Sequence, residues 1–414
     1  MNRRSWLTAR RLRAHGLLLA LTLWSLYIWT LATPGSRDRT GNLKGTDFLH
    51  FYTLGSLAIE RRETDLYNID TQAALAARRV PAAAGIRYLP LYPPQVSLLF
   101  APFAFLPYPW ALTLWWFCSA AIYSICCYAV WRSCPHLREH GLTVAILAAG
   151  FPGFFNLMAW GQSSALGLAC FTIFYFLMRK KRDFVAGLVL GCLIFKPQLA
   201  LTAGIVFLFI GAWKIVFGAI LSTLAQLSIG ALYYGTASLR NWFSMLSNLP
   251  ARSALLEPRP YQTHCLRTFW SMLIPWNSIS IGLYVISAAV VMVWTILVWK
   301  RSQDWALRLS LLLLATVLVA PHLTVYDLVI LAPAFLLLSD WAIARHPTSE
   351  SGFIGTMLYL AYVLPLAGPL LRGTHVQLSV VAMSILAYLI MKSIETDSAH
   401  QPLEPRSTAR IAAI

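Results

Sequence analysis

Apolar residues occur along this chain in long uninterrupted runs, without the alternation or amphipathic stripes of a soluble domain. A run of about 20 apolar residues can cross a bilayer core of about 30 Å as a helix. The predicted membrane helices cover residues 16–33, 110–131, 141–157, 162–178, 184–195, 197–212, 214–234, 278–299, 304–321, 325–341, 353–371 and 376–392. The pattern therefore predicts an all-α, polytopic membrane protein with about twelve spans.

Polar segments and one short apolar run interrupt this series. Residues 34–109 and 235–277 are predicted to be long loops. The run 96–106 inside the first loop is short and bounded by prolines, so an interfacial or re-entrant helix is expected there. Residues 1–392 are interpreted as one membrane domain, and the polar residues 393–414 are predicted to form a disordered cytoplasmic tail.

The first apolar run follows a basic start and has the general form of a signal peptide. It ends in Ala32-Thr33-Pro34, which offers no good small-x-small cleavage site. The run is therefore predicted to be the first membrane helix.

Lysine and arginine in the short loops set the expected orientation. The basic clusters are Arg3, Arg4, Arg10, Arg11 and Arg13; Arg179, Lys180, Lys181 and Arg182; and Lys300 with Arg301. Twelve spans threaded in order bring all three clusters to one side, which the positive-inside rule makes cytoplasmic. Both long loops then face the periplasm of a bacterial inner membrane.

Composition narrows the possible function classes. Of the residues, 58% are hydrophobic and only 12% are charged, so membrane lipids are the expected surroundings. Most of the seven cysteines lie in apolar runs, which argues against a disulfide framework or redox chemistry. The formal net charge is +17, and the basic residues flank apolar helices. This placement favours anionic lipid head groups over nucleic acid as partners.

The segment after Gly45 carries the first candidate for chemistry. Aromatic and small apolar residues recur at helical spacing from Phe48 to Ala58, which predicts an amphipathic helix on the outer membrane face. Asp47, at the start of this pattern, has two interpretations: it caps the helix, or it acts as a general base. The pattern alone leaves both open.

Two further segments enter the membrane from polar surroundings. The proline-rich stretch around Tyr92 is interpreted either as a rigid loop or as a substrate contact. Lys196 and Pro197 separate two apolar half-spans, which predicts a tight hairpin with the lysine at its tip. Lys196 either meets a lipid phosphate or snorkels to the outer interface.

The remaining candidates lie at the outer ends of predicted helices and in the second long loop. His322 is able to donate to a phosphate oxygen, whereas Asp327 is typical of a helix cap. Gln162 starts a helix and is also a potential cap. The second loop adds Arg252, Arg259, His264 and Arg267. Each arginine has two interpretations: bidentate contact with a phosphate, or ordinary solvation at the surface.

No motif for a metal or a nucleotide is present. The sequence contains no HExxH, paired CxxC or DxD, and no Walker A or helix-opening GxGxxG. No metal and no other cofactor is therefore expected.

Several of these segments together resemble glycosyltransferase family 87. They are, in order, Asp47 to Ala58, Leu66-Tyr67, Tyr92 to Pro107, GQSSALGL from Gly161 to Leu168, AGLVLGCLIFKPQ from Ala186 to Gln198, and PHLTVYD from Pro321 to Asp327. The resemblance runs from about residue 40 to about residue 340. It implies a GT-C fold. It also implies a polyprenyl-phosphate sugar, such as polyprenyl-phosphate mannose, as the donor, and a lipid or glycan acceptor on the outer face.

The resemblance also implies roles for residues. The family's essential aspartate in the first outer loop corresponds to Asp47, which is expected to be the general base of an inverting transfer. The candidate substrate-binding residues are His50, Tyr52, Tyr92, Gln162, Lys196, Gln198, Arg259, Arg267, His322 and Asp327. Among these, Lys196, His322 and one of the two arginines are expected to stabilise the leaving phosphate.

Two alternatives to a transferase remain. A transporter or flippase of a lipid-linked sugar also needs apolar helices and a cationic patch, although its charges are usually found at the midplane in symmetry-related halves. A purely structural role does not explain why Asp47, Lys196 and His322 are expected at the same level of the membrane. Asp47→Asn discriminates between them, because only a transferase depends on that carboxylate for turnover.

Overall fold

A computed structural model describes residues 8–249, 259–345 and 349–399. Arg252 and residues 400–414 of the predicted tail lie outside them. Within these ranges the regular secondary structure is helical, and extended pairing is limited to two isolated bridges. The predicted all-α membrane fold is confirmed.

The first half of the described chain contains nine α-helices. They are α1 (Ala9–Leu31), α2 (Thr46–Ile59), α3 (Ile69–Arg79), α4 (Gln95–Ala104), α5 (Tyr108–Arg132), α6 (Gly141–Ala149), α7 (Pro152–Trp160), α8 (Ser164–Arg179) and α9 (Asp183–Gly191). Short 3-10 helices join some of them, over Glu63–Asp65, Pro81–Ala83, Pro135–His140 and Cys192–Phe195.

The second half continues in the same way. Its α-helices are α10 (Pro197–Phe209), α11 (Trp213–Tyr234), α12 (Thr236–Ser247), α13 (Leu266–Leu273), α14 (Asn277–Arg301), α15 (Trp305–Val319), α16 (Ala332–Ala344), α17 (Ser349–Val363), α18 (Leu371–Thr374) and α19 (Leu378–Ala399). The 3-10 helices are Pro260–Gln262, Val325–Leu331 and Leu364–Leu370. Since α19 runs to Ala399, helix continues past the predicted start of the disordered tail at 393.

Long and short apolar helices are mixed. Among the described residues, six helical segments are long and apolar enough to span a membrane: α1, α5, α11, α14, Val325–Ala344 and the first part of α19. The α6–α7 pair, bent by 43°, adds a broken seventh. The other predicted spans correspond to shorter apolar helices such as α8, α10 and α15. The chain is therefore a multi-pass membrane protein in which about half of the predicted spans are full-length helices.

The short helices end next to one another inside the protein. Breaks occur between α7 and α8, between the 3-10 helix Cys192–Phe195 and α10, and between α15 and the 3-10 helix Val325–Leu331. The last of these packs against both α7 and α8. Non-helical backbone is tolerated at membrane depth where it is buried in protein or lines a cavity. The three breaks carry Gln162, Lys196 and Asp327, respectively, at or beside them.

The α9–α10 hairpin is too short to cross a bilayer. At 1.5 Å per residue for α-helix and about 2 Å for 3-10 helix, each arm is roughly 20 Å long, against about 30 Å for the hydrocarbon core. Glycines let α9 lie directly against α11: a Cβ on Gly187 would overlap the Ile215 carbonyl, and one on Gly218 would overlap the Phe184 carbonyl. The tip of this fixed hairpin is Lys196.

Helix α2 differs from its prediction as an amphipathic surface helix. Every residue from Phe48 to Ala58 is buried, because α4 covers one side so closely that a Cβ on Gly55 would overlap the Phe100 carbonyl. The amphipathic helix of this loop is instead α3, which buries Gln72, Leu75 and Ala76 and exposes Asp70, Ala74 and Arg78. A buried α2 holds its side chains in fixed positions.

Candidate active site

A cavity of about 630 Å³ lies where the helix breaks meet the start of α2. Its walls also include the C-terminal ends of α1 and α7 and the loop before α4. Of the candidate site residues, the lining includes Asp47, His50, Tyr92, Gln162, Lys196, Gln198, Arg259, His322 and Asp327. Residues from six separate stretches of sequence are thus brought to one chamber.

Two predicted residues lie away from this lining. The Tyr52 hydroxyl donates to the backbone carbonyl of Leu106 at 2.8 Å, so it joins α2 to the end of the α4 region. The Arg267 guanidinium donates to the carbonyl of Pro321. Both side chains support the walls of the site and do not face its interior.

Asp47 does not cap its helix. The N-cap of α2 is Gly45, in the left-handed conformation with φ 62°, and no side chain makes a capping bond there. One oxygen of the Asp47 carboxylate, Oδ2, accepts a hydrogen bond from Gln162 Nε2 at 2.8 Å. Gln162 is itself fixed because its Oε1 accepts from the Ser163 backbone N–H at 3.1 Å. The carboxylate is therefore oriented within the cavity by a side chain from a helix break.

The electrostatic surroundings of Asp47 favour its protonated form. Burial raises the pKa of Asp47 from 3.8 to about 6; the Gln162 hydrogen bond and the charge of Lys196 act in the opposite direction, and the charge of Asp327 adds to the rise. A carboxyl with a pKa near neutrality is suited to accepting a proton, because it is ionised at pH 7 yet basic enough to hold the proton it takes.

A buried ion pair lies beside Asp47. Lys196 Nζ is 2.7 Å from Asp327 Oδ1 and 3.0 Å from Ser164 Oγ, and the Ser164 hydroxyl also donates to Asp327. Lys196 is 4% exposed and Asp327 2%. The ammonium therefore does not reach a water interface, as snorkelling requires. A buried pair of this kind is tolerated only when further hydrogen bonds satisfy both groups.

Asp327 has a second, local function. It forms a capping box with Thr324, whose backbone N–H and hydroxyl each lie 3.3 Å from Asp327 Oδ2. The capping role considered for Asp327 is confirmed, and the same carboxylate uses its other oxygen for Lys196. The side chain thus holds both the start of a helix and the lysine in place.

The outer rim of the cavity carries further positive charge. The Arg259 guanidinium lies 5.7 Å from the centre of the Trp160 ring, a cation–π distance. His322 lines the same rim. Their segments are joined: Thr263 and Thr324 form a β-bridge, and the His264 N–H donates to the Leu323 carbonyl at 2.9 Å.

Contacts from the C-terminal helix fix this rim. The Gln377 amide donates to the carbonyls of Thr263 and Tyr261, at 2.5 and 3.1 Å. His264 Nδ1 is 2.7 Å from the hydroxyl of Ser379. Helix α19 and the residue before it therefore hold the described end of the second long loop over the cavity.

Aromatic residues form another part of the cavity wall. The His50 ring lies between Tyr88 and Tyr92, with ring centroids 5.1 and 5.5 Å apart. The Tyr88 hydroxyl donates to the Thr46 carbonyl at the start of α2. Burial, and then the charges of Asp327 and Asp47, raise the pKa of the Tyr92 phenol, so its hydroxyl lies within the field of both carboxylates.

Several residues of the site escaped the sequence reasoning. Ser164 bridges both members of the ion pair, and Tyr326 places its ring 5.1 Å from the Lys196 ammonium. Both belong to segments that the sequence singled out, GQSSALGL and PHLTVYD. No pattern within one segment marks them, since their partners come from other helices. Within the described ranges no group of three or more His, Cys, Asp and Glu side chains is arranged to hold a metal ion.

The chain matches a model of a known protein family. The model, described as glycosyltransferase family 87, matches residues 91–321, more than half of the chain. The matched region contains Gln162, Lys196 and Arg259, whereas Asp47 precedes it and Asp327 follows it. No curated protein and no solved structure matches the chain.

Proposed function

Since the chain belongs to glycosyltransferase family 87, a family of GT-C-type membrane glycosyltransferases, we propose that it transfers a hexose such as mannose from a polyprenyl-phosphate donor. The acceptor is a hydroxyl of a membrane lipid or glycan. The observation that carries this proposal is the pairing, in one cavity, of an oriented carboxylate, Asp47, with a buried lysine, Lys196. A proton acceptor beside a cation is the arrangement that displacement of a phosphate from a sugar requires.

Asp47 is the general base in this proposal. The acceptor hydroxyl attacks the anomeric carbon of the donor sugar, its proton passes to the Asp47 carboxylate, and the bond from that carbon to the phosphate oxygen breaks. The electron pair of the broken bond stays on the polyprenyl phosphate. A positioned base of this type contributes typically 10²- to 10⁴-fold to the rate. One displacement inverts the configuration of the anomeric carbon.

The leaving phosphate is stabilised by the cations of the cavity. An ammonium has three donors, and Lys196 uses two of them for Asp327 and Ser164. We assign the remaining donor of Lys196 to a phosphate oxygen, and Arg259 and His322 at the rim to the others. Because Asp327 balances much of the Lys196 charge, Arg259 supplies a larger share of the net attraction.

The cavity is proposed to open towards the periplasm of a bacterial cytoplasmic membrane. The positive-inside distribution of the short basic clusters supports this side, since the first loop and the described part of the second then lie outside together with Asp47 and Arg259. A donor with a membrane-embedded polyprenyl chain reaches such a site from the lipid.

Purified wild-type protein and Asp47→Asn, each with a synthetic polyprenyl-phosphate mannose and a membrane lipid extract as acceptor source, test this proposal. We expect Asp47→Asn to lower kcat by at least 10²-fold, because the amide cannot take the proton, while donor affinity stays within about threefold. Mass spectrometry of lipid-linked glycans from cells lacking the chain, and from cells carrying the variant, identifies the missing product.

Asp70→Asn is the matched control. Asp70 lies in the same loop, is exposed and, among the described residues, forms a surface ion pair with Arg87 at 3.0 Å, so its replacement should leave kcat unchanged. A wild-type protein that moves the intact lipid-linked sugar across a vesicle membrane, with Asp47→Asn equally active, would instead make the chain a flippase and refute the transferase.

A further inference from the structure

Arg308 is an arginine inside the apolar helix α15, and no carboxylate among the described residues balances its charge. It is the fourth residue of α15 and is partly buried. Its Nη2 donates to the Trp299 carbonyl at 3.1 Å, and no described acidic side chain forms an ion pair with it. A charge in an apolar membrane helix is costly, so it indicates a function or a partner.

Arg308 belongs to a cluster of aromatic rings. Its Cζ lies 5.5 Å from the centroid of the Trp299 ring and 5.5 Å from that of the Trp305 ring, and the two rings are 6.0 Å apart. Trp305 in turn lies 6.5 Å from the Tyr175 ring, over which the Arg179 guanidinium lies at 5.5 Å. These five side chains form an arginine–aromatic cluster with a guanidinium at each end.

The arginine–aromatic cluster joins the ends of two helices that carry exposed basic residues. Helix α8 ends at Arg179 and α14 ends at Arg301. The exposed basic residues at these ends are Arg179, Lys180, Lys181, Arg182, Lys300 and Arg301. None of them forms an ion pair within the described ranges, and the nearby Asp304 carboxylate is used to cap α15. An anion bound here therefore meets cations without displacing a protein carboxylate.

The chemistry of the cluster suits a phosphate at the level of lipid head groups. Arginine binds phosphate by parallel hydrogen bonds, and aromatic rings stack on its guanidinium and hold it in place. The Nε of Arg308 is buried, so a ligand reaches this guanidinium through its terminal nitrogens. Tryptophan and tyrosine are the side chains that membrane proteins place at the interface between lipid and water.

We propose that the arginine–aromatic cluster binds the phosphate of one anionic phospholipid, in the leaflet that faces this end of the protein. Arg308 contacts the phosphate oxygens. Arg179 and the exposed basic residues beside it favour an anionic head group over a zwitterionic one. None of these side chains lines the chamber at Asp47, so the lipid site is separate from the candidate active site and does not depend on the proposed transferase function.

Native mass spectrometry of the delipidated full-length protein in detergent tests this site, because it resolves single bound lipids. We expect the wild-type protein to bind dioctanoyl phosphatidylglycerol about tenfold more tightly than dioctanoyl phosphatidylcholine. Arg308→Gln and Arg179→Gln should each weaken binding of the phosphatidylglycerol about fivefold, the share of one cationic side chain near an anionic head group.

Arg308→Lys distinguishes a built site from a diffuse positive field. It keeps the charge and removes the planar guanidinium, so we expect it to bind phosphatidylglycerol nearly as weakly as Arg308→Gln. Lys214→Gln, at an exposed lysine in the first turn of α11, is the matched control and should keep the wild-type affinity. Thermal unfolding in detergent identifies a poorly folded Arg308 variant, in which case Arg179→Gln, at an exposed position, decides.

Competition separates a lipid site from a site for a free anion. Inorganic phosphate and glycerol 3-phosphate, at the concentration of the lipid, should leave the bound phosphatidylglycerol in place. The proposal is overturned by equal affinity for the two phospholipids, by wild-type binding in Arg308→Lys or Arg179→Gln, or by displacement of the lipid by either free anion. Sugar transfer is not measured in any arm, so these outcomes are independent of the transferase.

Discussion

Asp47 lies where its charged form is costly and where only one side chain, Gln162, donates a hydrogen bond to it among the described contacts. Burial raises its pKa to about 6, whereas the Gln162 amide lowers it. The ionised form acts as the base, so turnover should be constant above about pH 7 and fall as the pH drops through 6. The acid limb of the pH–rate profile then reports the pKa of this carboxyl.

Gln162→Ala should move that limb to higher pH. Removing a hydrogen bond that favours the carboxylate raises the pKa of Asp47 further, so a larger share of the protein is protonated at any given acidic pH. The measurement is kcat/KM from pH 4.5 to 8.5. Gln303→Ala, at an exposed glutamine between α14 and α15, serves as control and should keep the wild-type profile. A profile with no acid limb near 6 contradicts the assignment of Asp47 as base.

The buried pair of Lys196 and Asp327 leads to a prediction about stability. Removing one partner leaves the other charge buried and uncompensated, so Lys196→Met and Asp327→Leu alone should each destabilise the protein by about 3–5 kcal/mol. The double variant should recover most of that loss but remain inactive, because the phosphate loses its cation. Thermal unfolding in detergent and sugar transfer measure the two effects.

A partly exposed ion pair provides the comparison for the variants of Lys196 and Asp327. Arg62 and Asp65 lie 2.6 Å apart on the loop after α2 and are partly exposed, so Arg62→Met should cost less than about 1 kcal/mol. If the double variant at the buried site is no more stable than either single one, the pair is not an isolated electrostatic unit.

At the scale of helices, the site is made where short helices end. Every functional break was visible in the sequence as a polar or proline-containing interruption of an apolar run, at Gln162, Lys196 and His322. Their mutual contacts were not, because a contact such as Lys196 to Asp327 joins residues 131 positions apart and depends on how α8, α10 and α15 pack. Local sequence patterns predict where helices end, whereas tertiary packing determines which side chains contact one another.

The prediction for α2 failed for a related reason. The spacing of its aromatic residues is compatible with a membrane surface, but the neighbouring α4 packs on it through Gly55, so the helix is buried. Sequence hydrophobicity does not distinguish a helix that faces lipid from one that faces protein, since both are apolar.

Gly55→Ala tests the close packing of α2 on α4. The new Cβ would overlap the backbone carbonyl of Phe100, which cannot move aside as a side chain can, so we expect a loss of about 1–3 kcal/mol in stability. Turnover should also fall, because α2 carries Asp47 and His50. Unfolding temperature and kcat are the measurements.

Gly204→Ala in α10 is the matched control. No atom lies within 4 Å of a Cβ built there, and alanine is the better helix former, so the variant should be neutral or slightly more stable. Equal behaviour of the two variants would show that the contact between α2 and α4 is not tight.

At the scale of the whole molecule, the orientation in the membrane has a direct test. Between residue 70 and residue 181 the chain passes through α5, the bent α6–α7 pair and the shorter apolar helix α8. The proposed orientation counts these as three crossings. Asp70→Cys should therefore react with a membrane-impermeant maleimide in intact spheroplasts, and Lys181→Cys only after permeabilisation. The parent chain, with its own cysteines, gives the background. The reverse result would place Asp47 on the cytoplasmic side.

The sequence predicted the class of the molecule better than its dimensions. The apolar runs identified the apolar helices, whereas α12 and α13 lie in a segment predicted to be a loop. A length of 12–17 apolar residues was also taken to span where the structure has a shorter helix ending in the interior. Such a helix is indistinguishable from a true span by composition, because neighbouring protein supplies the same apolar surroundings as lipid.

The short arms of the α9–α10 hairpin have a chemical consequence. With each arm roughly 20 Å long, a hairpin that enters a hydrocarbon core of about 30 Å from one face ends inside that core, so we expect Lys196 and the candidate site to lie below the head groups. An activated sugar brought there meets the hydroxyl of a bound alcohol far more often than bulk solvent. On the proposed transferase function, the length of these two helices would favour glycoside formation over hydrolysis of the lipid donor.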